Sequence, residues 1–268
     1  MHCAVRSGRN DALSIVAASG RFGNFKPESE RNVTAPEIKQ GMTLENFIRI
    51  WRKVVYDGRI AQYTSDVESL LAGFEWTAKD VTAFSIALAQ FQNEGDSPNV
   101  RAGFLLSALI GNCPEGEHEV FTGHLTILPQ YLGYANKKII DIYGDAGHYL
   151  GICSRGGRIT LHGDAGPETA TAMTGGILII RGNCGSFLGI NMIGGRIVVE
   201  GNAGNAAGAY MKKGYADTSP SIHVKGNAGE AVGHLMTAGE IRIEGGYGSI
   251  GDVIAGRIYY GDELIADK

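Results

Sequence analysis

Between Ile139 and Tyr260 the hydrophobic and polar positions recur as one phrase: IIDIYGDAGHYLGICSRGG, RITLHGDAGPETATAMTGG, ILIIRGNCGSFLGINMIGG, RIVVEGNAGNAAGAYMKKG, SIHVKGNAGEAVGHLMTAG and EIRIEGGYGSIGDVIAG. Its anchors, Gly144, Gly163, Gly182, Gly201, Gly226 and Gly245, lie 19, 19, 19, 25 and 19 residues apart. A fixed period of this size marks stacked structural repeats. Four and two residues before the anchor the columns are purely aliphatic: Ile140, Ile159, Leu178, Ile197, Ile222, Ile241, and Ile142, Leu161, Ile180, Val199, Val224, Ile243. The column between them is mixed, and the one adjoining the glycine is polar. Such period-two alternation on a short β-branched run predicts a strand with one buried face. After the anchor stand Asp145, Asp164, Asn183, Asn202 and Asn227. These residue types tolerate left-handed backbone angles and bond their own main chain in turns, so every coil is expected to turn at this corner.

Six residues past the anchor come Leu150, Thr169, Leu188, Ala207 and Val232, and ten past it Ser154, Met173, Met192, Met211 and Met236. Thioether side chains fill irregular interiors, so the methionine column reads as core and not as a cofactor box. Strand, glycine corner and filler at a constant period predict a single-stranded right-handed β-helix of about six 19-residue coils, a cylinder roughly 29 Å long at the usual inter-strand spacing.

Upstream the texture is helical. Leu44, Phe47, Ile48, Trp51, Val54 and Val55 keep helical spacing behind a Thr43 N-cap, with Gly58 as the stop. Ser65 to Glu68 has the form of a capping box leading into Val67, Leu70, Leu71 and Phe74, and Thr77 to Asp80 opens a third helix with Val81, Phe84, Leu88 and Phe91 on one face. A fourth apolar segment, RAGFLLSALIG, ends at Gly111. The expected organisation is α+β by segments: an irregular arm over 1–41, a small α-helical unit over 42–113, a polar crossing and imperfect entry coil over 114–138 with its strand at Leu125 to Leu128, and the β-helix over 139–268. An uncapped solenoid end exposes core, so the aromatic-rich helical unit is expected to cover the first coil or to present a partner surface.

Composition adds one outlier. Forty of the 268 residues are glycine, about twice the usual share of ~7%, and most of them follow the period. A formal charge of −4 with no basic stripe argues against nucleic-acid binding. Cys3, Cys113, Cys153 and Cys184 form no CxxC pair and share no column, which fits free thiols in a reducing cytoplasm. No apolar run approaches the eighteen or so residues of a membrane span. Two arginines precede a short apolar stretch at the N-terminus, a faint targeting pattern that Asp11 interrupts.

Candidate chemistry is sparse. No HExxH, GxSxG or P-loop occurs, and the histidines do not pair at metal-ligand spacing. The recurring GDAG loops resemble a phosphate loop, but a dinucleotide fingerprint needs one such loop in a βαβ unit. Asp145 and Asp164 invite a hard cation, yet their column continues as asparagine, which suits a turn ladder; the nine-residue calcium-binding cadence is absent. Neither cofactor nor metal site nor catalytic set is therefore assigned. Arg181, Glu200, Lys225 and Glu244 alternate in sign and are expected to face one another on successive rungs as an exposed ladder. Asp141, His223 and Arg242 share a column on different coils. The fourth coil carries six extra residues in AYMKKGYADTSP, and insertions in a solenoid sit on one face, so Tyr210, Lys212, Lys213 and Tyr215 are candidate partner contacts, with Asp217 beside them.

Strand, G-[DN]-[AC]-G, a glycine four residues on, a methionine and a closing glycine resemble the GXGXG β-helix family over about residues 123–262. That family includes the C subunit of formylmethanofuran dehydrogenases and formyltransferase/hydrolase complexes and the C-terminal domain of the glutamate synthase large subunit. This chain departs from the pattern at Pro167 and at Ala170, which replaces the later glycine of its coil. In those relatives the β-helix packs against catalytic subunits or domains, so the resemblance supplies no active-site residues. It implies a non-catalytic scaffolding subunit of a formyl-group (C1) transfer or glutamate-synthase-like complex. Two alternatives stand beside it: a free-standing homo-oligomer, and a β-helix enzyme acting on a polysaccharide.

Overall fold

The computed structural model describes residues 42–214 and 219–268; the expected arm over 1–41, and Tyr215 and Asp217 of the fourth-coil loop, lie outside them. Among the described residues four helices come first, α1 (Met42–Lys53), α2 (Ile60–Leu71), α3 (Ala78–Ala87) and α4 (Pro98–Asn112). Nine strands follow: β1 (Glu117–Phe121), β2 (Ile139–Tyr143), β3 (Arg155–Leu161), β4 (Gly175–Ile180), β5 (Arg196–Val199), β6 (Ser221–Val224), β7 (Glu240–Ile243), β8 (Arg257–Tyr260) and β9 (Glu263–Asp267). They form one sheet in sequence order, parallel from β1 to β8, with β9 turning back antiparallel on β8. The result is a parallel β-solenoid of about seven turns behind a small helical unit.

Register follows the repeat. Ile140 stacks on Ile159, Ile159 on Leu178, Leu178 on Ile197, and so on to Ile258, so like residues pile up inside. No aliphatic of the two columns from Ile140 to Ile243 is more than 3% exposed. The six-after column is fully buried, as are the methionines at 2% exposure or less, and Ser154 takes the methionine place in the first coil. Each fully buried aliphatic side chain contributes about 1.5–3 kcal/mol, so the columns hold the stack together.

Three local expectations are corrected. The stretch Leu125 to Leu128 is not a strand; the entry strand is β1, whose inward positions are His118 and Val120. Its Glu-His-Glu alternation hid it, because a histidine fills the place of the aliphatic. The Ser65 box does not open a helix: α2 begins at Ile60, and Ser65 lies within it. Thr43 likewise lies inside α1, which ends at Lys53, well short of Gly58, and this leaves Val55 and Phe74 exposed beyond their helices. The Thr77–Asp80 box does cap α3, Asp80 Oδ2 accepting from Thr77 N at 2.8 Å and Thr77 Oγ1 from Asp80 N at 3.4 Å.

The helical unit closes the first rung. An exposed sheet edge carries unpaired main-chain groups, and α3 covers that of β1: Ser85 Oγ accepts from Phe121 N (3.1 Å) and Thr82 Oγ1 donates to Glu119 O (2.8 Å). Between the helices, buried Arg101 donates to the carbonyls of Glu94 (3.0 Å) and Trp51 and lies 4.3 Å over the Trp51 ring. From α4 an aromatic stack runs down the coils, Phe104 on Tyr131 and Tyr131 on Tyr149, each with ring centroids 4.6 Å apart.

Candidate docking surface

Each coil has a sheet wall and a turn wall, joined at the anchor glycines. A Cβ on Gly201 would stand 2.6 Å from Gly182 O, and one on Gly182 2.2 Å from Asp164 Oδ1. The anchors are thus glycine because the neighbouring coil's backbone passes too close for a side chain. The Asp/Asn column does not adopt left-handed angles, contrary to expectation. Instead each side-chain oxygen accepts the amide of its counterpart one coil on: Asp145 from Asp164 N (2.8 Å), Asp164 from Asn183 N (2.6 Å), Asn183 from Asn202 N (3.0 Å), Asn202 from Asn227 N (2.8 Å), Asn227 from Gly246 N (2.7 Å). Asp145 and Asp164 are spent on this ladder, and among the described residues no group of three or more metal-ligating side chains occurs.

The left-handed residues stand on the turn wall, five, seven and nine positions past the anchor. The fifth position carries Tyr149, Glu168, Phe187, Ala206 and Ala231 and the ninth Cys153, Ala172, Asn191, Tyr210 and Leu235, all non-glycine at positive φ. Residues five and nine donate forward, as Phe187 N does to Asn205 O and Tyr210 N to His234 O (both 2.8 Å). The seventh donates back, as Gly208 N does to Leu188 O (2.8 Å). This alternation stacks the main chain without a strand. The seventh position faces inward: a Cβ on Gly208 would lie 2.4 Å from Ile241 Cδ1. Ala170 occupies that column at φ 59 and is fully buried.

Outward, the two walls differ in chemistry. On the sheet wall Arg181 meets Glu200, Lys225 Nζ lies 3.4 Å from the same carboxylate, and the expected next pair does not form, because Glu244 is taken by His223 at 2.6 Å. Arg257 pairs with Glu240 at 3.4 Å and Arg242 with Asp262 at 3.3 Å, while His162 stacks on Tyr143 beside Asp141. His223 and Arg242 are register partners, whereas Asp141 sits four rungs from His223 with His162. On the turn wall of coils three to five the exposed Phe187 and Tyr210 stand among Ile190, Asn191 and Leu235, with the carboxylate residue Glu230 exposed beside them in coil five. Phe187 and Tyr210 are each 44% exposed, and Tyr210 rests edge-on against His234 at 6.0 Å.

No protein-family model matches this chain, and no curated protein matches it. The surface must therefore be read from its own residues. Of the candidate contacts, Tyr210 stands on the turn wall, Lys212 and Lys213 are exposed where the fourth-coil loop leaves it, and Tyr215 lies outside the described residues. Sequence reasoning missed Phe187 and Ile190, because their columns mix tyrosine, glutamate, threonine, alanine and histidine with the further aliphatic Ile152 and show no sustained period of hydrophobicity. Cys184 is no reactive thiol: its burial on the corner bridge between Ala165 and Ala203 pushes it up to about 12. Among the described residues no helix is long and apolar enough to cross a membrane.

Proposed function

We propose that this chain is a non-catalytic scaffolding subunit that docks a catalytic partner on its turn wall, in a cytoplasmic formyl-group transfer or glutamate-synthase-like complex. The observation that carries the reading is the pair of exposed aromatics Phe187 and Tyr210, held on a rigid stack whose interior is filled with aliphatic and methionine side chains. A preformed surface binds at low ordering cost, and aromatic anchors dominate interface energetics. Lys212 and Lys213 rim that surface and supply orientation to the encounter. The complex named rests on the motif resemblance alone.

Affinity purification at native abundance with mass spectrometry tests it. The expected result is a stoichiometric catalytic subunit that is lost with Phe187→Glu and Tyr210→Glu; recovery of self-copies alone would establish the homo-oligomer instead. One observation favours the enzyme alternative, the juxtaposition of His223, Glu244, Arg242 and Glu240 on the outer sheet face. Cleavage of pectins or related polymers by the chain alone, abolished by His223→Ala, would replace the scaffold reading.

A further inference from the structure

A concavity lies where the helical unit meets the first coils. It is a cleft of about 460 Å3 between α2, α4 and the end of the entry coil, and its charged lining residues are Glu68, Lys137, Lys138 and Arg155. Ligand sites favour such junctions, and clefts of roughly 300–1,000 Å3 suit small molecules. Three cations against one carboxylate give it a positive field, which low-dielectric walls concentrate.

Lys138 is held in place from both ends. Asn136, only 6% exposed, clamps its main chain, accepting from Lys138 N at 2.9 Å and donating to Lys138 O at 2.8 Å. Its ammonium donates to the carbonyls of Cys113 (3.0 Å) and Glu115 (3.1 Å) on the connector from α4 to β1. A half-buried ammonium satisfied by carbonyls keeps its full charge uncompensated, because carbonyls accept a hydrogen bond without neutralising it. Among the described residues none of Lys137, Lys138 and Arg155 has a carboxylate within ion-pair distance. Coil stacking brings Arg155 to the two lysines, since its amide donates to Asn136 O at 2.9 Å.

We infer that this cleft binds a small phosphate-bearing polyanion. Lys138 is the fixed point charge at its wall, Arg155 offers the planar fork that phosphate oxygens accept in pairs, and Lys137 adds charge at the mouth. Because both halves of the molecule line the cleft, an occupant ties the helical cap to the solenoid and stabilises the fold by mass action. This inference is independent of the docking reading.

Isothermal titration of the full chain with inorganic pyrophosphate at low ionic strength tests it, with Lys137→Glu, Arg155→Glu and the double variant alongside. Both side chains are exposed, so the variants are expected to fold normally, which circular dichroism melts verify. The expected result is saturable one-to-one binding, weakened at least about tenfold by each charge reversal and by added salt, with pyrophosphate raising the melting temperature of the parent only. No saturable binding, binding of citrate without pyrophosphate, or undiminished affinity in the folded double variant would each overturn the assignment.

Discussion

The two walls of a coil stack main chain on main chain by opposite means. On the sheet wall the backbone is extended, neighbours pair in a parallel ladder, and inward Ile, Leu and Val side chains carry the specificity. On the turn wall, left-handed residues donate alternately forward and backward, and the inward places hold glycine and methionine together with the mixed column of Leu150, Thr169, Leu188, Ala207 and Val232. The first wall depends on what its side chains are, the second on what its backbone can adopt. Outward, the sheet wall pairs its own charges across rungs, whereas the turn wall exposes the aromatic rings of Phe187 and Tyr210. Specification by backbone leaves outward side chains unconstrained, and this is where an interface is least costly to build.

The harshest test of the sheet wall is a charge in its column. Ile180→Asp or Val199→Asp is expected to cost about 4 kcal/mol or more, because the carboxylate has no partner among stacked aliphatics. Chemical denaturation followed by circular dichroism reads the effect, and a parent-like transition in either variant means that the inward register is misassigned. The corresponding test of the turn wall is Gly208→Ala. Its methyl group meets Ile241 Cδ1 at 2.4 Å and its φ is +70°, so a loss of about 2–3 kcal/mol is expected from overpacking and left-handed strain together.

Smaller changes sharpen the contrast. Asn202→Ala removes the acceptor of Asn227 N and the donor to Asn183 Oδ1, so a loss of about 1 kcal/mol is expected at this exposed corner. Ala231→Gly, outward at φ 57, relieves left-handed strain against the extra entropy of the unfolded chain. A gain of roughly half a kcal/mol is expected there, so glycine is preferred to alanine at both sites but by far less at the outward position 231 than at the inward position 208. Preferences of equal size at the two sites would erase the distinction between inward and outward left-handed columns.

The mildest perturbation needs no substitution. His118, the histidine in the column of β1, is 2% exposed with Nε2 3.1 Å from Glu115 O and Nδ1 unpartnered, and burial holds it below its ordinary value of 6.5. The unfolded chain therefore takes up this proton first. The stability linked to His118 is present above about pH 6.5 and lost as pH falls from there through the depressed folded value. His118→Val, which restores the aliphatic of the column, is expected to remove that pH dependence of unfolding between pH 7 and 5. An unchanged slope would assign the acid sensitivity to other groups.

How much was legible depended on whether the signal lay in side chains or in backbone. The aliphatic and methionine columns could be read because burial of a side chain leaves a period in composition, and the Thr77 box because its partners are three residues apart. Ser65 carried the same local pattern, but α2 runs through it from Ile60, so a sequence-local cap was overruled by the longer helix. Phe187, Tyr210 and Ala231 gave no sign of left-handed angles, since that conformation is imposed by the amides and carbonyls of the next coil and not by the residue itself. Asp164 and Asn202 announced a hydrogen bond without naming its target, as an oxygen of that reach serves its own turn or the coil beyond it. Period and column thus determined which residues stack on which. Only the tertiary structure decided which backbone bends, which carboxyl and amide groups ladder between coils, and that Lys137, Lys138 and Arg155 share one cleft, because each depends on groups brought together by stacking.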